Sequence, residues 1–151
     1  GPPTSDLACL LRHHDEASTG IRIIDGGYVE SPVYALAELD IVMNLSHFQE
    51  SFGRTVLEAM AAARPVVCYA WGALEELVIP DKTGYLVPFG DINAVARQLT
   101  MLADAPELRH TLGHAGREHA MAHFSPKVLQ KALAEVYDLA LHGDSRKQHL
   151  I

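Results

Sequence analysis

The chain has 151 residues, of which 48% are hydrophobic and 21% charged; this fits one globular domain and excludes intrinsic disorder. Twelve Lys and Arg against nineteen Asp and Glu leave a formal charge of −7, which argues against a nucleic-acid partner, since phosphate-backbone recognition needs basic surface. No run approaches the ~18 apolar residues of a membrane span, and Cys9 and Cys68 show no CxxC or framework spacing, so they read as core thiols of a reducing, cytoplasmic compartment.

In chain order, Thr4-Ser5-Asp6 offers capping side chains and Leu7, Leu10 and Leu11 recur at helical spacing, which predicts a helix over about 6–16. Ile21-Arg22-Ile23-Ile24 reads as a short β-branched strand closed by Asp25-Gly26-Gly27. A short helix is expected over 32–39, carrying Ala35, Leu36 and Leu39. Ile41-Val42-Met43 reads as a strand apolar on both faces, as a buried parallel strand should be. Helical propensity over 52–62, a third strand at 65–69, a short helix at 73–79 and a strand at 84–87 follow.

Three helices close the chain. The first, about 91–103, has Asp91 as N-cap and the stripe Ile92, Val95, Ala96, Leu99, Leu102. The second, about 105–122, starts behind Asp104 with Glu107 three residues on, a capping-box pattern. The third starts at Ser125-Pro126 and runs to about 141, with Leu129, Leu133, Val136, Tyr137 and Ala140 as its core stripe. Strands alternating with helices make an α/β fold with a mostly parallel sheet, residues 1–141 forming one lobe and 142–151 a polar tail. Such sheets bind ligands at the carboxyl ends of their strands. That directs attention to 25–31, 44–54, 69–76 and 87–91.

The chemistry-bearing stretch runs from Asn44 to Met60. A strand ends, a polar loop follows, and a helix begins near Phe52; its first turn offers unpaired N–H groups as an anion cradle, with Gly53 allowing close approach. Val56, Leu57, Ala59, Met60, Ala61 and Ala62 make this helix apolar almost all round, so Glu58 is expected to be buried and to need a partner. Glu50 lies eight residues earlier, about 12 Å along the rise. The two acids can address opposite ends of one ligand but cannot share a proton. The plain alternatives are a salt bridge from Glu58 to an internal Arg and a solvated loop position for Glu50.

Glu50-x7-Glu58 within ESFGRTVLEAMAAARPVV, then Trp71-Gly72-Ala73-Leu74-Glu75-Glu76-Leu77-Val78 and Asp81-Lys82-Thr83-Gly84-Tyr85-Leu86-Val87-Pro88, resembles the retaining GT-B glycosyltransferases of family 4, over about residues 20–140. The resemblance implies the Rossmann-like C-terminal lobe of a two-lobed hexosyltransferase, taking sugar from a nucleoside diphosphate sugar to a glycan or lipid-linked acceptor. It implies no cofactor and no required metal. Carried over, Glu50 matches the catalytic first glutamate that contacts donor-sugar hydroxyls. Ser51, Phe52 and Gly53 match the helix-start residues that reach sugar and diphosphate, and Glu58 the glutamate that accepts from the ribose hydroxyls. Gly72 and Ala73 stand where the family has a Gly-Gly pair; His47, Arg54 and Glu76 are further candidates.

The departures are specific. Leu45-Ser46 replaces the usual Pro-Ser, the loop to Glu50 is one residue longer, and Ala63 takes the place of the glycine that ends the helix. Gly1-Pro2 resembles the turn after the family's second strand, so the first strand–helix unit, its diphosphate-neutralising basic residues and the acceptor lobe are expected to be missing. This implies an exposed sheet edge, a tendency to homodimerise, and no transfer by the chain alone; any contact with the inner membrane face would run through the missing lobe. A non-catalytic nucleotide-sugar-binding or dimerisation module is the alternative. His110/His114 and His119/His123 have i,i+4 spacing, but without HExxH or a neighbouring Cys they read as solvated helix faces, not a metal site.

Overall fold

A computed structural model describes residues 20–24 and 26–142. The helix expected over 6–16, Cys9, Asp25 and the tail beyond His142 lie outside them. The elements are α1 (Pro32–Ala37), β1 (Val42–Asn44), α2 (Arg54–Ala61), β2 (Val66–Tyr69), α3 (Leu74–Leu77), β3 (Tyr85–Val87), α4 (Ile92–Asp104), α5 (Pro106–Phe124) and α6 (Pro126–His142). The sheet has the order β1-β2-β3 and is parallel throughout, with Val42 opposite Val66 and Val67 opposite Tyr85. This is the expected α/β architecture of a parallel sheet with flanking helices, ending in three helices.

The central strand explains the two-sided core. Val66-Val67-Cys68-Tyr69 is fully buried, and alternation sends successive side chains to opposite faces. Val66 and Cys68 join Val42, Val56, Met60, Leu74 and Leu77 on one side. Val67 and Tyr69 join Tyr85, Val87, Val95, Leu102 and Leu112 on the other. Helices α2 and α4 thus cover opposite faces, the doubly wound arrangement that places loops at the carboxyl strand ends.

Several expectations need correction. Ile21–Ile24 is not in the sheet, and Ile21 and Ile24 are exposed. β-branched propensity alone does not place a segment in a sheet. β1 is therefore an edge of the described sheet, so Met43 is half exposed instead of buried. In α4 the buried side runs through Ala94, Val95 and Leu102, leaving Ile92 and Ala96 outside. Asp91 does cap this helix, accepting from the Ala94 N–H at 2.8 Å. Asp104 is the last residue of α4 and caps nothing; Ala105 precedes α5 without a side-chain cap, and Pro106 opens it. Finally, α6 has no buried residue, and Leu129, Leu133, Val136 and Tyr137 face outward. The stripe is real, but no described element covers it.

Candidate functional site

The site grows from the end of β1. Asn44 uses both ends of its amide: Oδ1 accepts from the Ser46 N–H at 3.2 Å, and Nδ2 donates to Glu50 Oε1 at 3.2 Å. Ser46 Oγ then accepts from the Phe48 N–H at 3.2 Å. These short-range turns hold the long loop without the usual proline. The backbone of Glu50 is fixed independently. It forms a lone parallel bridge with Gly72, and its carbonyl accepts from the Ala73 N–H at 2.9 Å. Glu50 is thus tied by side chain to β1 and by main chain to the segment after β2.

Two glycines make this possible. Gly72 has φ +63°, and a Cβ there would sit 2.7 Å from the Glu50 carbonyl oxygen. Gly53 caps α2 at φ +76°, where a Cβ would meet Leu74 Cδ2 at 2.5 Å. Gly53 is also buried against α3, so packing and its positive φ both favour glycine there. The Ala73 amide is already bonded to Glu50 and is not available to a phosphate. Helix α2 starts at Arg54, two residues later than expected, and no side chain caps it.

Ser51, Phe52, Ala73 and Glu76 do come together, lining a cavity of about 190 Å³ with Leu77 and Phe124. Phe52 is half exposed and meets Phe124 edge-on, with ring centroids 6.5 Å apart. His119 also meets Phe124 edge-on at 5.8 Å. Burial, and then the charge of His123, lower the His119 pKa. The larger hollow of about 590 Å³ runs along the solvent side of α4 and contains no candidate residue.

Glu58 stands apart from this cavity and is not buried. Its side chain is 32% exposed and pairs with Arg54, Nε to Oε1 at 2.8 Å, one helical turn back. The missing partner is therefore Arg54, an exposed local cation instead of an internal one, whose own pKa is raised by the Glu58 hydrogen bond and charge. The apolar composition of α2 overstates its burial, because α1 covers only part of that side. What remains open there is a cleft of about 390 Å³ lined by Glu58, Ala61, Ala62, Pro32, Val33, Leu36 and Arg117. Glu58 thus lines this cleft, whereas Glu50 lines neither hollow and adjoins the first through its sequence neighbour Ser51.

His47 is exposed and belongs to neither hollow. Its ring meets Phe89 edge-on at 5.6 Å, and Phe89 stacks on Trp71 at 4.4 Å and lies edge-on to Tyr69 at 5.2 Å. This aromatic group, Phe124 and Asn44 were not singled out from sequence. Asn44 carried a usable signal, a polar residue at the end of an apolar strand; Phe124 carried none, because its position depends on how α5 crosses α2. The rings of the pairs His110/His114 and His119/His123 lie tilted to each other by 40° and 42°, with centroids 4.2 and 4.6 Å apart. Among the described residues no group of three or more His, Cys, Asp or Glu is arranged to hold a metal, and no helix is long and apolar enough to cross a membrane.

Comparison with known proteins agrees with this geometry. The model of the family described as glycosyl transferases group 1 matches residues 5–119. The D-inositol 3-phosphate glycosyltransferase of Streptomyces scabiei (strain 87.22) is 38% identical over 105 residues, which is 70% of this chain and 23% of that protein. Sucrose-phosphate synthase from Thermosynechococcus elongatus superposes with a TM-score of 0.67 at 32% identity, over 72% of this chain and 27% of that one. Anabaena HepE, solved in complex with UDP, gives 0.67 at 26% identity, over 69% and 29%. The chain spans 22–31% of the length of the curated relatives it matches. The motif order, the parallel sheet and these matches agree, and the chain belongs to the glycosyl transferases group 1 family.

Proposed function

We propose that this chain is the donor-binding lobe of a retaining hexosyltransferase, which takes sugar from a nucleoside diphosphate sugar to a glycan or lipid-linked acceptor. The observation that carries this reading is the double anchoring of Glu50, which holds a carboxylate against Asn44 at the carboxyl end of β1 and its main chain against Gly72. Only one of its oxygens is used within the protein among the described residues. A carboxylate held in this way suits sugar hydroxyls, because it accepts without needing to reorganise. The binding of UDP by HepE supports a nucleotide donor.

On this reading the donor lies across the start of α2. Its sugar is over Glu50, its diphosphate near the uncapped amides, and its ribose at Glu58. Glu58 keeps Oε2 for a hydroxyl while Oε1 holds Arg54, so Arg54 stands as a nearby cation without leaving its partner. Neither glutamate acts as nucleophile. The departing phosphate takes the acceptor proton, and the lobe contributes position and charge stabilisation. No resident metal is part of the reading. The chain alone binds donor and does not transfer, since it spans 22–31% of the length of the curated relatives it matches.

Calorimetric titration with UDP-glucose, GDP-mannose and ADP-glucose tests this. One of them is expected to bind in the micromolar range and to weaken about tenfold in Glu58→Ala, the loss of one charge-assisted hydrogen bond. Absence of affinity for all three overturns the reading.

A further inference from the structure

We propose that Asn44 is a positioning residue that aims Glu50 at the donor sugar; the inference rests on the function proposed above. The orientation of the Asn44 amide follows from its partners. Oδ1 is bound by the Ser46 N–H, which can only donate, so Nδ2 is the atom that faces the Glu50 carboxylate. Both contacts are partly buried, where an amide–carboxylate hydrogen bond is worth more than at an open surface.

Asn44 is also well placed to serve as an anchor. It is the last residue of β1 and sits opposite Cys68 of the central strand, whose side chain is fully buried. Glu50 by contrast lies in a nine-residue loop between β1 and α2, and an unrestrained glutamate loses rotamer freedom when it binds. Holding Oε1 against the sheet removes that loss in advance and leaves Oε2 as the oxygen that meets the sugar. A site on a strand end supporting a site on a loop gives preorganisation that the loop alone lacks. The residues on either side of Asn44 are apolar, Met43 and Leu45, so the segment gains nothing in burial from an amide here.

The rival role for Asn44 is purely structural: closing the turn through Oδ1. Asn44→Asp separates the two, because it keeps the acceptor for Ser46 and replaces the donor with a charge that repels Glu50. The measurement compares the tightest-binding nucleotide sugar of UDP-glucose, GDP-mannose and ADP-glucose with its parent diphosphate, in the whole chain. The sugar is expected to improve affinity over the diphosphate in the native protein. That advantage should fall roughly tenfold in Asn44→Leu and further in Asn44→Asp, while diphosphate affinity holds within about twofold. In the ligand-free protein, the Asn44 side-chain amide should give a displaced 1H–15N signal that returns to the position of a solvated amide in Glu50→Ala. An unchanged sugar advantage in Asn44→Asp, or an amide signal indifferent to Glu50→Ala, overturns the positioning role alone. Failure of all three nucleotide sugars to bind the native chain overturns the proposed function, and the positioning role with it.

Discussion

Gly72 shows how much of the site depends on a residue with no functional group. It stands at φ +63° and lies under the Glu50 backbone, with space for a hydrogen but not for a methyl. Gly72→Ala combines two costs. A left-handed non-glycine residue costs about 1–2 kcal/mol, and a Cβ 2.7 Å from the Glu50 oxygen forces a backbone shift. A loss of about 2–3 kcal/mol is expected, or roughly 5–10 °C in Tm for a domain of this size. Nucleotide-sugar affinity should fall as well, because the lone bridge that positions Glu50 is the contact displaced. Thermal melts with and without UDP-glucose check both parts, and an unchanged Tm contradicts the assigned packing. The sequence made this glycine visible as half of a familiar pair. It could not show the reason, since the clash partner comes from twenty-two residues earlier in the chain. Glu58 shows the opposite limit. Its apolar neighbours suggested burial, yet Arg54 one turn away was enough to keep it paired near solvent.

At the scale of elements, the end of α2 explains what an alanine in place of glycine does. The Arg64 N–H bonds to the Ala59 carbonyl at 2.9 Å and the Ala63 N–H to the Met60 carbonyl at 2.9 Å. This is the Schellman pattern, which places Ala63 in the left-handed region at φ +56°. Ala63→Gly removes that strain while keeping both hydrogen bonds, and a gain of about 1 kcal/mol is expected. In urea the midpoint should rise with an unchanged m-value; a lower midpoint would show that unfolded-state glycine entropy outweighs the strain. Local chemistry of this kind was legible in advance, as were β2, β3 and the Asp91 cap of α4. The errors have a common physical source. Ile21–Ile24 and the stripe of α6 carry the right local pattern, but a strand needs a place in a sheet ladder and an amphipathic helix needs a covering surface. Neither is a property of the segment itself.

For the molecule as a whole, the consequence among the described residues is a sheet with a fully buried central strand and β1 at one edge. β2 is shielded on both faces by the two core clusters and on both sides by strands. Cys68 at its centre is fully buried, and burial pushes its thiol pKa up to about 12, a hydrogen bond with the Asn44 backbone acting weakly the other way. β1, by contrast, has one neighbouring strand among the described residues and is three residues long, so fraying there is the cheapest route by which reagent could reach Cys68. Its hydrophobic anchors argue against that route. Val42 packs with Leu36, Val56 and Met60 in the same cluster as Cys68, so releasing β1 opens the core instead of merely unzipping an edge. In a Cys9→Ser background, thiol labelling of Cys68 at pH 8 should therefore be slow, and its rate should rise with urea along the slope for global unfolding. A rapid rate that does not depend on urea would place β1 in a separate, weaker unit. The site would then lose its anchor, since the same strand carries Asn44 and through it Glu50.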